Sequence, residues 1–403
     1  MHRRGGASAG AAYACFAVFG GYWGAWAASI PALREQAGVT DGQLGTALLF
    51  VGAGALPAML LTGRLVDRWG RRAAGALLAL LGAVGVLVVV TGRDLTSLSA
   101  GVAAMGAASG AADVAINTVA GSAQQASGRS VIARAHATFS FAVVAGSLGA
   151  GALRALGAPL VTAFALVAVA AAGLAVAVAA GVAGADGAPH TLAGRVGAAW
   201  RRPPVATGPL LILGTLGALA FVVENGHESW SALYLQDVLN AGPATAAAGP
   251  AVFASVMAIT RLGAGRLSTR RPGAVLLTGS VTAAIGTMLV AAAPSVPAGL
   301  LGLGTAAAGT AVLFPTVLGV LSARVPEHVR GTATSIVTTV AYLGFLAGPV
   351  YVGRWADIAG LRGAMIALAA LAAGLAPVAA VSLRRLGAQS EPPGRAAASR
   401  RRM

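Results

Sequence analysis

Apolar residues occur along this chain in twelve long runs, separated by shorter polar segments. A helix needs about 20 apolar residues to cross the hydrocarbon core of a bilayer, and each run is close to that length. Because backbone polar groups find no water in lipid, such segments cross as helices. The pattern therefore predicts an all-α membrane protein with twelve transmembrane helices, at residues 9–29, 44–62, 73–91, 96–120, 135–153, 160–182, 209–235, 244–262, 274–293, 298–321, 332–353 and 363–383.

The composition supports this class of protein. Apolar residues make up 57% of the 403 positions and charged residues only 10%, whereas soluble globular proteins carry about 25% charged residues. The 57 glycines predict thin helices that pack closely through small residues. The first apolar run is longer than the apolar part of a signal peptide, so we expect it to be retained as a helix.

The charged residues lie mostly in the turns. The 28 basic residues are all arginines, and 23 of them, Arg261 included, fall in segments on one side of the predicted bundle. The positive-inside rule then places both termini in the cytoplasm of a cell with a bacterial-type plasma membrane. In a soluble protein the net charge of +16 would favour nucleic acid, but here we expect membrane lipid as the partner and no nucleic acid.

Enzyme and metal-site patterns are missing from the sequence. The chain has no lysine and one cysteine, Cys15, so it offers no P-loop lysine, no intrachain disulfide and no multi-cysteine metal site. His227-Glu228 lacks a second histidine at metalloprotease spacing. We therefore predict a protein that is not an enzyme and has no cofactor or metal.

A long polar segment with three prolines divides the chain. It predicts an N-terminal six-helix bundle at residues 1–182, a linker at 183–208, a C-terminal bundle at 209–385 and a disordered basic tail at 386–403. The two halves contain an internal repeat, since Gly63-Arg64-Leu65 occurs again as Gly265-Arg266-Leu267. Thr269 then stands where Asp67 stands in the first half. This repeat predicts two bundles around a central site.

The turn between the second and third spans carries four arginines and one acid, so we expect it to lie in water at a membrane face. It resembles the loop between helices 2 and 3 of the major facilitator superfamily, written Gly-x3-Asp-Arg/Lys-x-Gly-Arg-Arg/Lys. The resemblance implies that family's fold and a cytoplasmic latch that forms and breaks as a transporter changes its facing. The alternative is an ordinary positive loop that anchors two helices. The matching residues are Gly63, Asp67, Arg68, Gly70, Arg71 and Arg72.

Span 4 contains an acid inside an apolar run. Asp113 and Asn117 are four residues apart and share one helix face, and a carboxylate within the membrane is expected to point into the bundle. The pair resembles the acid-x3-Asn element of fucose-permease-like sugar transporters and their uncharacterised bacterial relatives. The resemblance implies a proton-titrating or substrate-binding carboxylate; the alternative is a structural hydrogen bond.

Span 7 ends with Glu224, His227 and Glu228, whose spacing can place them on one face. Asn225 and Gly226 suggest that the helix breaks there. The same relatives carry Glu-Gly-x3-Asp-Trp-Ser at this place, which Glu224 matches, whereas Glu228 sits one position early. Glu224 is thus the stronger candidate, and Glu228 is either a site residue or part of an outer vestibule.

Further candidates lie at span ends. His136, which the relatives share, opens span 5 and could gate or accept a proton, or make a plain interfacial hydrogen bond. Tyr22 and Trp23 could form a substrate wall or serve as interfacial anchors. Trp26 and Trp230 are interpreted as anchors.

These features together predict a secondary transporter that works by alternating access as a monomer. We expect protons to drive the movement of a small polar, sugar-like solute. Efflux of amphipathic compounds is an alternative. Gly344-x3-Gly348-Pro349 in span 11 resembles an element that drug/proton antiporters keep in span 5, but span 5 of this chain has Gly146-Ser147-x-Gly149-x-Gly151 without the proline, which weakens the efflux alternative. A transporter-like sensor is the third possibility.

Overall fold

The computed structural model describes residues 2–180 and 207–388, and the elements assigned in that part are all helices. The all-α membrane class is therefore confirmed. In chain order the helices are α1 (His2–Ala37), α2 (Asp41–Thr91), α3 (Leu95–Ser127), α4 (Val131–Ala155), α5 (Val161–Ala179), α6 (Thr207–Asp237), α7 (Pro243–Ala246), α8 (Ala248–Arg270), α9 (Pro272–Ala292), α10 (Val296–Thr310), α11 (Leu313–Arg324) and α12 (Glu327–Ala388).

Two of these helices are too long for one crossing. α2 has 51 residues and α12 has 62, whereas a single span needs about 20. Each is broken at a glycine with non-helical backbone, Gly70 (φ 49°) in α2 and Gly360 (φ 71°) in α12. Such positive φ values suit glycine because it has no Cβ. Over the described residues, nine helical stretches are apolar and long enough to cross a membrane, and the count of twelve spans stays a prediction.

Small residues let the helices approach closely, as the composition predicts. A Cβ added to Gly110 of α3 would lie 2.8 Å from the carbonyl oxygen of Ala55 in α2. In the second half, a Cβ on Gly302 of α10 would lie 2.7 Å from the backbone nitrogen of Val290 in α9. Real Cβ atoms do not come this near to backbone, so these glycines set the distance between neighbouring helices.

The bundle has two ends, which we call the Asp41 end, where α2 begins, and the Gly70 end, where α2 is broken. Helices α1–α5 meet α6–α12 mainly through α2 with α12, α4 with α8 and α7, and α1 with α6. Ser147 of α4, for example, donates a 2.8 Å hydrogen bond to the carbonyl of Ala247. Nearly all of the predicted linker and most of the predicted tail fall outside the described residues, so these boundaries stay predictions.

Two expectations from the sequence are wrong. α6 runs unbroken from Thr207 to Asp237, so Asn225 and Gly226 do not interrupt it. Trp26 and Trp230 are 4% and 0% exposed, so they pack inside protein and are not anchors at a lipid interface. An aromatic residue near a span end is compatible with either an interfacial or a buried position, so residue type alone does not show which way it faces.

Candidate functional site

An ion pair links two helices in the second half of the chain. Arg261 of α8 donates from Nη2 to Oε1 of Glu224 on α6 at 2.9 Å. The carboxylate side chain is 9% exposed and the guanidinium side chain 42%. Arg261 also donates from Nε to the carbonyl of Ala311 at 3.3 Å, at the junction of α10 and α11. The arginine therefore holds three elements together around one buried carboxylate.

A second acid stands one helical turn further along α6. Glu228 lies within electrostatic range of both Glu224 and Arg261, while the guanidinium bonds to Glu224. His227 points elsewhere, since its Nε2 lies 2.9 Å from the hydroxyl of Thr287 on α9 and the residue is fully buried. The sequence spacing that could place all three on one face thus brings the two glutamates together and separates the histidine from them.

Asp113 and Asn117 lie together on α3, as the spacing predicts. The amide of Asn117 donates to Oδ1 of Asp113 at 3.0 Å and to its backbone carbonyl at 2.9 Å. Both residues are partly buried. The bond stays within one helix, so the amide orients the carboxylate without tying α3 to a neighbour.

Aromatic rings lie beside these acids. Phe221 precedes Glu224 by three residues on α6, and its ring centroid is 4.4 Å from that of Phe314 and 5.8 Å from that of Tyr342. Phe345 completes this cluster, with its centroid 6.0 Å from that of Phe221. Tyr342 is 36% exposed and lies within electrostatic range of both Asp113 and Glu224. The aromatic cluster therefore stands between the acid of the first half and the acid of the second.

The first half contributes rings from α1 and α4. His136 is exposed, and its ring meets Phe16 edge-on with centroids 5.0 Å apart. It also lies within electrostatic range of Arg261. Trp23 is half-buried against Phe19, with centroids 6.4 Å apart. His136 and Arg261 thus face each other across the two halves.

Tyr22 is 1% exposed and packs on Phe164 of α5 at a centroid distance of 5.9 Å. A Cβ on Gly85 of α2 would lie 3.0 Å from its hydroxyl oxygen. This placement in the packed core of the first half leaves no surface for a substrate wall, so that expectation for Tyr22 is wrong.

The predicted latch lies at the break in α2. Asp67 is half-buried, and Gly63 and Gly70 are half-buried as well, while Arg68 and Arg72 are exposed. Arg71 is only 9% exposed, so the expectation that this whole turn lies in water is wrong for that residue. Its guanidinium acts electrostatically on Cys15 of α1, which shows that Arg71 turns back toward the bundle.

The partner of Glu224 is not indicated by the sequence pattern. Arg261 lies one residue before the end of the predicted span 244–262, so it counts with the arginines on the cytoplasmic side of the predicted bundle. However, it precedes Thr269, the counterpart of Asp67, by eight residues, or about 12 Å of helix. An arginine that far inside a span is a signal for a functional ion pair. The second half also has an arginine where the first half has Met59, at the offset of 202 that relates the two halves.

Comparisons with known proteins agree over most of the chain. A family model described as Major Facilitator Superfamily matches residues 11–349. An uncharacterised MFS-type transporter of Yersinia pestis is 30% identical over 336 residues, which cover 82% of this chain and 84% of that protein.

Solved structures show the same fold. A bacterial homolog of the human lysosomal transporter Spinster, in an inward-facing and unoccupied conformation, has a TM-score of 0.74 at 15% identity, covering 97% of this chain and 99% of its own. A single-residue variant of the nucleoside transporter NupG has a TM-score of 0.74 at 14% identity, covering 93% and 99%. At these identities the likeness concerns the fold alone.

Proposed function

Because this chain belongs to the Major Facilitator Superfamily and is a multi-pass membrane transporter, we propose that it is a secondary transporter whose substrate movement is coupled to protons. The observation that carries this proposal is the charge balance of the site. Asp113, Glu224 and Glu228 bring three carboxylates, and Arg261 brings one guanidinium. Buried charges without partners are costly, so a site with excess carboxylates favours taking up protons or a cation.

Asp113 is our first candidate for the proton carrier. Its hydrogen bond comes from the neutral amide of Asn117 and not from a cation, so protonation removes a charge without breaking an ion pair. Glu224 is held by Arg261 at 2.9 Å and would have to exchange that partner first. Glu228 and His136 both lie within electrostatic range of Arg261, and His136 stands near the start of α4.

The aromatic cluster supports a substrate with both a flat apolar face and polar edges. Phe221 and Tyr342 offer ring faces, while Asp113 and Asn117 offer groups that bind hydroxyls. A sugar-like solute fits this combination, since its C–H face can stack and its hydroxyls can donate. Efflux of an amphipathic cation is the second candidate, because rings beside excess carboxylates also bind cations.

We further propose that the transporter works as a monomer in the bacterial inner membrane with both termini in the cytoplasm. The arginine distribution supports this orientation, because it places the arginine-rich Gly70 end inside. Lipid would then be its only other partner.

Substrate-induced proton movement tests the proposed function directly. Purified protein is reconstituted in vesicles loaded with a pH-sensitive dye, and a panel of sugars, nucleosides, amino acids and amphipathic cations is added with no imposed gradient. We expect one class of compound to change the internal pH, and the direction of the change separates symport from antiport.

The Asp113→Asn protein provides the matched comparison, because asparagine mimics the protonated acid at nearly the same size. We expect it to bind the active compound, as seen by a thermal shift, while moving no protons with it. Proton movement at the wild-type rate by Asp113→Asn would show that the carrier lies elsewhere. No proton movement by the wild type with any transported compound would refute the coupling.

A further inference from the structure

The decapeptide at the break in α2 has a second copy at the break in α12. Residues 353–362 read Gly-Arg-Trp-Ala-Asp-Ile-Ala-Gly-Leu-Arg, and residues 63–72 read Gly-Arg-Leu-Val-Asp-Arg-Trp-Gly-Arg-Arg. Both therefore have the form Gly-Arg-x2-Asp-x2-Gly-x-Arg. The second glycine of each copy is the residue with positive φ that interrupts its long helix, Gly70 in one and Gly360 in the other.

The two copies occupy opposite ends of the bundle. The acid of the second copy is Asp357, and it touches the residues that begin α2 at the Asp41 end. This is not the half-to-half repeat, whose counterpart to Gly63 is Gly265. The offset between the two copies is 290 residues. The first copy follows the second predicted span, and the second copy precedes the last predicted span.

The side chain of Asp357, in the second half of the protein, forms hydrogen bonds with the first half. Its Oδ1 accepts a 2.9 Å hydrogen bond from the backbone N–H of Gly42, and its Oδ2 accepts one from the hydroxyl of Thr40 at 3.3 Å. Thr40 is the N-cap of α2. The first N–H groups of a helix have no partners within it, and the helix dipole favours negative charge there. The carboxylate therefore binds the free end of α2 with a charge-assisted bond.

Glycines make this approach possible. A Cβ on Gly42 would collide with the carboxylate of Asp357, and a Cβ on Gly353 would lie 2.5 Å from the carbonyl of Asp41 and 3.1 Å from Cζ2 of Trp230. A Cβ on Gly63, the matching position of the first copy, would meet no atom within 4 Å. The first glycine of the second copy is thus packed against the opposite half, and that of the first copy is not.

Other charges reinforce closure at the same end. Arg34 of α1 forms ion pairs with Asp41 and, at 2.7 Å, with Asp237 at the end of α6. Arg362, the last residue of the second copy, donates to the carbonyls of Ala291 and Ala293 at 2.8 and 3.1 Å. These bonds anchor residues 353–362 to the end of α9 within the second half, so the position of Asp357 next to α2 is fixed.

We propose that residues 353–362 form a second latch, which holds the Asp41 end closed and opposes the latch of residues 63–72 at the Gly70 end. Each copy would stabilise the facing in which its own end is shut. The inference rests on alternating access, but not on the identity of the substrate or on proton coupling.

The test measures the width of the Asp41 end in the absence of substrate and at fixed pH. Spin labels are attached at Arg93→Cys and Ser295→Cys, two exposed positions in turns of opposite halves, with Cys15→Ala as background. Distances are recorded by pulsed electron resonance in lipid nanodiscs. We expect Asp357→Ala to raise the ratio of long to short distances by about tenfold, equivalent to about 1.4 kcal/mol.

Three further variants make the result specific. Asp94→Ala is the matched control, because Asp94 caps α3 through the N–H of Ser97 at 2.9 Å, a contact within one half, and it should leave the ratio unchanged. Gly42→Ala should shift the ratio in the same direction as Asp357→Ala while keeping the acid. Asp67→Ala should shift it the other way, and the double variant with Asp357→Ala should lie between the two single variants.

Two outcomes would overturn the proposal. The first is a distance distribution for Asp357→Ala that matches Asp94→Ala. The second is a shift of Asp67→Ala in the same direction as Asp357→Ala. Because no substrate or pH change is used, a failure of proton coupling leaves this measurement intact, and a failure here leaves the coupling test intact.

Discussion

Removing Arg261 should destabilise the protein more than removing its ion-pair partner Glu224. Removing one partner of a fully buried pair costs about 3–5 kcal/mol, whereas exposed pairs contribute about 0–1 kcal/mol. Glu224 is 9% exposed and Arg261 42%, so the cost depends on which partner remains. Arg261→Met leaves a buried carboxylate without its cation, and we expect a loss of about 2–3 kcal/mol. Glu224→Gln leaves a guanidinium that water reaches and that keeps the Ala311 carbonyl, so we expect about 1 kcal/mol or less.

Thermal unfolding in detergent, followed by tryptophan fluorescence, can resolve this difference. A loss of 1 kcal/mol lowers the midpoint by about 2–4 °C for 150–250 residues, roughly the size of one half of this chain. Arg261→Met should therefore lower it by about 4–12 °C, and Glu224→Gln by about 4 °C or less. The matched control is Arg129→Met, which removes an exposed arginine from the turn after α3 and should change little.

The double variant decides whether the pair is coupled. Arg261→Met with Glu224→Gln removes the carboxylate that Arg261→Met alone leaves without its bonded cation, so it should be more stable than Arg261→Met alone. If the two single variants lose equal stability and the double variant loses their sum, the carboxylate does not depend on the arginine and the reasoning is wrong.

Two further outcomes can be checked with the same preparations. Asp67→Asn should stay folded but transport more slowly, because losing a charge-assisted hydrogen bond weakens one facing by about 1–3 kcal/mol, while Thr269→Val should matter much less; equal effects on the transport rate would exclude an asymmetric latch. Gly110→Ala should lower the unfolding midpoint by several degrees, because its Cβ would lie 2.8 Å from the Ala55 carbonyl and overpacking costs about 1–3 kcal/mol. Gly121→Ala on the same helix has open space and should be neutral or slightly stabilising, because alanine favours a helix more than glycine does. A similar loss of stability in both variants would show that the contact with Ala55 is not the cause.

The sequence predicted the class of fold because hydropathy is a property of whole segments. It also placed Asp113 beside Asn117, since their contact depends only on the geometry of one helix. It could not show which way Tyr22 and Trp26 face. Because α1 is apolar on every side, its hydropathy pattern does not indicate which side of the helix faces the bundle. Both residues pack against Phe164, a contact with α5 that only the assembled bundle creates.

Contacts between distant segments do not follow from the sequence for a related reason. Arg261 stands near the end of a predicted span, and only the folded bundle brings it to Glu224 on another helix. The second copy of the decapeptide does not follow the offset between the halves, at which Gly265 corresponds to Gly63. The contact of Asp357 with the N–H of Gly42 likewise depends on the packing of α12 against α2.

Under the proposed proton coupling, the different partners of the two acids would divide the work of coupling between the halves. Asp113 is held by an amide of its own helix, so a change in its charge leaves every contact between helices in place. Glu224 is held by an arginine that also bonds to the α10–α11 junction, so a change there alters how α6, α8 and α11 pack. Substitution of Asp113 should therefore reduce proton movement and hardly change the unfolding temperature. Substitution of Arg261 should lower the unfolding temperature first. On this argument the first half carries the charge that is exchanged, and the second half converts the exchange into a change of packing.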